Sequence, residues 1–158
     1  MYHRIVAGKL RATFEAINSG DWEKMVQGMA PNFTYVFYGN HALSGTRHTP
    51  DALRAWWQRI DRLLPGTTFQ VDEVIVAGPP WNTRAATSIT VHAGLPDGTK
   101  YDNVINQFLR IAWGKVTEVK TLEDTALLSS VPDRLAVSGV DEAHAAPLTD
   151  EPVAAGAG

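Results

Sequence analysis

The sequence predicts an α+β fold, with three N-terminal helices packed in one curved antiparallel sheet. Apolar residues recur at helical spacing in residues 3–18, 21–31 and 49–66, and strand-like alternation dominates after residue 68. A Pro-Asp-Gly turn at 96–98 and a tight turn at 112–115 join the later strands as hairpins. Helices followed by a run of strands are typical of an α+β domain and not of an alternating βαβ chain.

Each helix has recognisable ends. Gly20 ends the first helix, and Asp21 is the expected N-cap of a short second helix that ends at Pro31. The third helix has the clearest signals, because Thr49 stands at its N-cap and Pro50 at its first position, and a Pro-Gly pair closes it. Of its two consecutive tryptophans, only one is expected to face inward.

Strands account for most of the remaining domain. One short strand is predicted between the second and third helices, and four strands follow the third helix as a meander. The order is therefore ααβαββββ. The predicted strands are 32–39, 68–78, 82–94, 100–112 and 115–124.

The chain divides near residue 130. Residues 1–130 form the predicted folded domain, whereas residues 131–158 are rich in Ala, Pro, Gly and acids and have no periodicity. This second part carries a net charge of −4, because its five acidic side chains are opposed only by Arg134. We expect a flexible acidic tail, and the alternative is an arm that packs on a partner subunit.

Composition narrows the classes of function. The chain has 158 residues, 44% of them hydrophobic, no cysteine and a net charge of −3, which suits one domain in a reducing compartment such as the cytoplasm. Scattered Lys and Arg predict no nucleic-acid interface, and no apolar run is long enough for a membrane span. The five histidines lack metal-ligand spacing and no nucleotide motif is present, so neither metal nor cofactor is expected.

An amide in the strand 100–112 is the first candidate for function. Asn106 lies between Ile105 and Phe108 in "NVINQF", and a buried amide without partners costs about 1–3 kcal/mol. If the hairpin turns about 96–98, Ser88 faces Asn106. The two residues then form either a satisfied core pair or the polar part of a pocket.

The same register extends this candidate pocket. Thr90 would face Val104, and Phe108 would form part of the wall. A few convergent polar groups in an apolar concavity are typical of a small-molecule site. His92 would face Asp102, either as an acid/base dyad or as an ordinary cross-strand pair near the turn.

Several phrases resemble the SnoaL-like branch of the NTF2-like superfamily, which includes ketosteroid isomerase-like proteins, polyketide cyclases and limonene-epoxide hydrolase-like enzymes. The phrases are "AINSGDWEKM", "GNHALSGTRHTPDALRAWW" and "PDGTKYDNVINQFLRIAWGKVTEV" followed by "LED". The resemblance covers about residues 3–128. It implies a cone in which a curved sheet wraps around helices, with a deep pocket and often a dimer through the outer sheet face.

The family's catalytic positions match only in part. The charged positions of the epoxide hydrolases fall on the uncharged Ser88, Thr90 and Thr121, although their water-holding tyrosine matches Tyr35. The ketosteroid isomerase base has no counterpart in "YVFYG", and the protonated aspartate of those enzymes falls at Asn106. The resemblance therefore implies neither epoxide hydrolysis nor steroid isomerisation, and no carboxylate is expected deep in the pocket.

The resulting hypothesis is an isomerase-, cyclase- or dehydratase-type enzyme acting on a mostly apolar polyketide, terpenoid or steroid-like molecule. Tyr35 would donate a proton or hydrogen bond, Asn106 would hold an oxygen, and His92 or His41 would carry a proton. Alternatives are a non-catalytic binding module and an accessory subunit, and a homodimer through the outer sheet face is expected. The predicted pocket residues are Tyr35, Phe37, His41, Trp57, Ser88, Thr90, Val104, Asn106, Phe108 and Thr121.

Overall fold

The computed structural model describes residues 1–95, 97–124, 126, 128, 130–131 and 141–152. The α+β prediction is confirmed, with one additional three-residue strand that is too short to show alternation in the sequence. The helices are α1 (Tyr2–Asn18), α2 (Glu23–Gln27) and α3 (Pro50–Leu63), and a 3-10 turn spans Asp141–His144. The strands are β1 (Met29–Phe37), β2 (Gly45–Arg47), β3 (Thr68–Ala77), β4 (Thr83–Gly94), β5 (Lys100–Ala112) and β6 (Lys115–Glu123).

The six strands form one open, curved sheet in the order β2-β1-β6-β5-β4-β3. Neighbouring strands are antiparallel except β1 and β6, which pair in parallel. The expectation of a wholly antiparallel sheet is therefore wrong at this pairing, where the first and last long strands meet. Register shifts between Val71 and Glu73 and between Arg110 and Ile111 bend the strands in the manner of bulges.

The helices occupy the concave side of the sheet. The buried face of α1 follows its predicted spacing, with Val6, Leu10, Phe14 and Ile17 inside. The second helix starts after Trp22, without a side-chain cap, and not at Asp21. No described helix has both the length and the apolar character needed to cross a bilayer.

The third helix supplies the largest side chains of the core. Thr49 Oγ1 accepts a hydrogen bond from Ala52 N at 3.3 Å, which confirms the predicted cap. Trp56 and Trp57 are 2% and 3% exposed, so both indoles lie inside and the expectation that only one faces inward is wrong. Their rings pack edge to face with centroids 5.0 Å apart. The buried apolar face of α3 therefore includes both side chains and is wider than predicted.

The predicted register of β4 against β5 is confirmed, but the prediction that Val104, Asn106 and Phe108 of β5 face the pocket is wrong. Ser88 pairs with Asn106, and the flanking pairs also match the expectation. Along β5, however, the odd-numbered residues from Tyr101 to Ile111 are buried and the even-numbered residues are exposed. Ile105 and its odd-numbered neighbours therefore face the helices, and they do not need cover from a second subunit.

The described part of the C-terminal segment, residues 141–152, lies against β2 and α3. The carboxylate of Asp150 accepts hydrogen bonds from the backbone N–H groups of His48 at 2.6 Å and Thr49 at 3.0 Å. A Cβ added to Gly45 would lie 2.5 Å from Thr149 Oγ1, so the close approach of this segment requires glycine there. Composition does not indicate these contacts, and residues 132–140 and 153–158 lie outside the described residues.

Candidate functional site

A cavity lies between α3 and the concave face of the sheet. It is narrow, with a volume of about 40 Å³, which leaves room for only a few water molecules. A larger ligand therefore requires side chains around the cavity to move. Most of its wall is apolar, including Phe14, Phe37, Trp56, Trp57, Ile89 and Ile105.

A hydrogen-bonded polar group interrupts this apolar wall. Gln107 Nε2 donates to Thr121 Oγ1 at 3.1 Å and lies 3.5 Å from the Tyr35 hydroxyl. Thr121 on β6 pairs with Gln107 on β5 and with Phe37 on β1, two residues beyond Tyr35. These adjacent strands therefore place the three polar side chains together. Burial raises the pKa of Tyr35 to about 12, so its phenol is neutral at pH 7 and can donate a hydrogen bond to a ligand.

A carboxyl group lines the same cavity. Glu123 lies two residues beyond Thr121 on β6 and therefore on the same face. Its Oε1 atom is buried and has no hydrogen-bond partner in the described part of the chain. Burial, with a smaller contribution from Asp124, raises the pKa of Glu123 to about 8. The group is therefore mostly protonated at pH 7 and exchanges its proton near neutral pH.

A second tyrosine lies beside this carboxyl. Tyr101 is buried and lines the cavity, and its hydroxyl accepts a hydrogen bond from Asn103 Nδ2 at 2.8 Å. Burial, reinforced by Glu123, raises the pKa of Tyr101, so this phenol also stays neutral. The cavity thus combines neutral hydrogen-bond donors with one proton-exchanging group, an arrangement suited to general acid–base chemistry.

Four of the predicted site residues line this cavity, and five others lie on the outer face of the sheet. Tyr35, Phe37, Trp57 and Thr121 lie on its wall. The others were assigned to the wrong face of the sheet, because alternation shows which residues share a face without showing which face is inward. The residues on the outer face are Ser88, Thr90, Val104, Asn106 and Phe108.

The predicted His92–Asp102 dyad also lies outside the cavity. His92 Nδ1 is 2.5 Å from Asp102 Oδ1, and both side chains are at least half exposed. On the same face, Thr90 Oγ1 donates to Asp72 Oδ2 at 2.6 Å. These contacts describe a solvated cross-strand network, which cannot deliver a proton to a ligand inside the cone.

His41 lies next to the cavity without lining it. Its ring meets Phe37 edge to face, with centroids 5.4 Å apart, and borders a smaller void that shares Leu43, Leu64 and Leu128 with the main cavity. Leu43 N donates to His41 Nδ1 at 3.2 Å, so this nitrogen is an acceptor. Burial lowers the pKa of His41, which favours the neutral ring.

Four polar residues of the cavity, Thr67, Tyr101, Gln107 and Glu123, were not predicted. No carboxylate was expected deep in the pocket; Glu123 lines the cavity wall, is half-buried and also borders a depression on the outer sheet face. Two signals in the sequence pointed to the inner face. Thr121 was already placed inside, so Glu123 shares its face, and the polar residues at 88, 90 and 92 mark the solvent side of β4.

Solved structures identify the class of fold. An NTF2-like protein of unknown function from Burkholderia pseudomallei is 19% identical, with a TM-score of 0.71 over 80% of this chain and 95% of that one. TerC, co-crystallised with polyporic acid, is 18% identical, with a TM-score of 0.69 over 80% and 96% of the two chains. IdmH from Streptomyces antibioticus, proposed to be a polyketide cyclase, is 18% identical, with a TM-score of 0.66 over 80% and 96%.

The fold is therefore the NTF2-like cone. The family model described as the SnoaL-like domain matches residues 10–119, and the chain belongs to this family. A search of curated proteins gives no match.

Proposed function

We propose that the protein is a cytoplasmic enzyme that catalyses a proton-transfer reaction of the isomerase, cyclase or dehydratase type. Its substrate is a mostly apolar small molecule that carries a carbonyl or hydroxyl oxygen, and the reaction needs no metal or cofactor. The observation that carries this proposal is the half-buried Glu123 side chain in the wall of an aromatic cavity, whose buried Oε1 atom has no partner among the described residues. A carboxyl with a pKa of about 8 is suited to both accepting and returning a proton near neutral pH.

The other polar residues have complementary roles in this proposal. Tyr35 holds the substrate oxygen by a hydrogen bond, which stabilises negative charge that develops on it, and Gln107 supports Tyr35 by donating to its hydroxyl. The ionised fraction of Glu123 removes a proton from the carbon next to a carbonyl and leaves an enolate. Return of that proton from Glu123 to a conjugated carbon is an isomerisation. Attack of the enolate on a second carbonyl, whose oxygen then takes the proton from Glu123, is a cyclisation.

Two structural neighbours support the substrate class. IdmH is proposed to be a polyketide cyclase, and TerC was crystallised with polyporic acid. Both share the fold of this chain. The mostly apolar, aromatic lining of the present cavity suits ring systems of that kind.

The test is hydrogen exchange at carbon. The protein is incubated in D2O with bicyclic ketones such as 1-tetralone, and NMR follows the loss of the proton signal next to the carbonyl. We expect faster exchange than in buffer, and a loss of about 100-fold or more in Glu123→Gln, the usual scale of general acid–base catalysis. Glu118→Gln is the matched control, since Glu118 lies on the same strand and pairs with Arg110 and Lys120.

The outcome also separates the alternatives. Full exchange activity in Glu123→Gln would contradict the proposed role of this carboxyl. If the wild-type protein binds these ketones but exchanges them no faster than buffer, a non-catalytic binding module is the better description.

We also propose that two copies associate through their outer sheet faces. Ile75 and Phe108 are each 56% exposed, and Val104 and Leu122 are 45% and 43% exposed. Register pairs Ile75 with Ala86 and Ala86 with Phe108, so an apolar row crosses three strands. A second copy would bury this row against its own equivalent, which is the usual geometry of a twofold dimer.

A further inference from the structure

A buried cation lies directly behind the polar wall of the cavity. Arg47, the last residue of β2, pairs with Tyr35 across the two strands and is 0% exposed. Its guanidinium carbon lies 4.9 Å from the ring centroid of Trp56. Trp56 also packs on Tyr35 with centroids 5.2 Å apart, so the cation is integral to this wall.

No carboxylate in the described ranges forms a salt bridge with Arg47. Its Nη atoms donate to the backbone carbonyls of Leu43 at 3.0 Å, Ser44 at 2.6 Å and Gly45 at 3.3 Å. Its Nε atom has no partner among the residues that the structure describes. Asp150 lies near enough to favour the charged form, but its carboxylate is hydrogen-bonded at the start of α3. Carbonyl dipoles and an indole face thus stabilise the guanidinium, and no described side chain neutralises it through an ion pair.

The charge persists under physiological conditions. Burial lowers the pKa of Arg47 to about 10, so the group is still protonated at pH 7. A charge in a dry environment acts over longer distances than one in water, because the effective dielectric is lower. Arg47 therefore adds a positive contribution to the potential at the wall around Tyr35, which the nearby Asp150 offsets in part.

We propose that Arg47 makes the cavity select ligands that place an anionic oxygen, such as an enolate, phenolate or carboxylate, against Tyr35. Arg47 is a positioning residue, since it acts through the field and through Tyr35 and does not line the cavity. This inference rests on the proposed ligand site and specifies the class of substrate. In the enolate reaction it favours the charged intermediate over the neutral ketone.

The test compares two isosteric probes, 1-naphthoate and 1-naphthamide, by isothermal titration calorimetry at pH 7. We expect the wild-type protein to bind the anion at least about tenfold more tightly, as one partly screened unit charge allows. Arg47→Gln should lose this preference and still bind the amide, and Arg47→Lys should retain most of it. Arg110→Gln is the control of equal charge change, because Arg110 is half exposed and pairs with Glu118.

Several results would overturn the inference. They are equal binding of the two probes by the wild-type protein, no measurable binding of naphthoate, and an unchanged preference in Arg47→Gln. Nuclear Overhauser contacts from the naphthyl ring to the methyl groups of Ile89 and Ile105 must place the anion in the cavity, and their absence also counts against it. If Arg47→Gln does not fold, the inference is judged on the ratio of naphthoate to naphthamide affinity in the wild-type protein and in Arg47→Lys.

The two proposals can fail separately. If the protein prefers naphthoate over naphthamide in a way that depends on Arg47 but exchanges no ketone, the proposed enzymatic activity is contradicted and the anion site is supported. If ketone exchange depends on Glu123 but the protein binds naphthoate and naphthamide equally, the anion site is contradicted and the proposed enzymatic activity is supported.

Discussion

The carboxyl of Glu123 makes the free energy of unfolding depend on pH. A single substitution at this position can isolate that dependence. Its pKa of about 8 lies above the ordinary value of 4.5, so between these values the folded state keeps a proton that the unfolded state has released. The free energy of unfolding therefore falls as pH rises from 4.5, by up to about 1.4 kcal/mol per pH unit. Below 4.5 both states are protonated, and the group adds no pH dependence.

Glu123→Gln should remove this dependence. We expect the variant to be as stable as the wild-type protein at pH 5 and more stable by a few kcal/mol at pH 8.5. Urea unfolding at the two pH values measures the difference. The control Glu118→Gln should follow the wild-type curve, and parallel curves for Glu123→Gln and wild type would show that the carboxyl is already ionised in the folded state.

The Tyr35 hydroxyl should matter more for chemistry than for stability. In Tyr35→Phe, Gln107 keeps its 3.1 Å hydrogen bond to Thr121, so the loss in unfolding free energy should be only about 1 kcal/mol. Ketone exchange should fall by about 100-fold, because one donor to the developing oxyanion is gone. Urea unfolding and NMR exchange are compared with Tyr38→Phe, an exposed neighbour, and unchanged exchange would remove Tyr35 from the mechanism.

At the scale of elements, the C-terminal segment stabilises the start of α3. Asp150 accepts two backbone hydrogen bonds there and a further short one from the Thr49 hydroxyl, and its negative charge complements the helix dipole. Asp150→Ala should cost about 1–3 kcal/mol, which lowers Tm by roughly 2–4 °C per kcal/mol in a chain of this size. Thermal unfolding by circular dichroism measures the shift.

The neighbouring residue supplies the control for this prediction. Glu151 is exposed, so Glu151→Ala should melt with the wild-type protein. Hydrogen exchange gives a local readout, since the amides of His48 and Thr49 should lose protection only in Asp150→Ala. Equal melting of the two variants would show that the segment is not bound to α3 in solution.

The elements also show what the sequence can and cannot predict. The cap and the closing Pro-Gly of α3 are local signals, and the register of β4 and β5 follows from their turn, so these predictions were confirmed. The inner face of β5 depends on which side the helices cover, and both faces carry apolar residues, such as Ile105 on one and Phe108 on the other. The contacts of Asp150 join residues 101 and 102 positions apart, and composition carries no information about them.

At the scale of the whole molecule, the proposed dimer can be tested at the outer sheet face. Its apolar row, with Ile75 and Phe108 each 56% exposed, costs free energy in water unless another surface covers it. We expect a dimer by native mass spectrometry, and Phe108→Asp should convert it to a monomer by placing a charge at the centre of the interface. Ile5→Asp is the matched control, because Ile5 is 52% exposed on α1, away from this face.

The same measurement separates the possible partners of this face. A wild-type dimer that Phe108→Asp dissociates and Ile5→Asp does not would place the interface on the sheet. A wild-type monomer would contradict the homodimer and favour a different protein on the same row, which is the accessory-subunit alternative. A dimer that survives Phe108→Asp would place the contact elsewhere on the molecule. Because the cavity opens between α3 and the opposite face of the sheet, none of these results changes the expected ketone exchange, and a monomeric variant that keeps full activity would show that each cone contains a complete site.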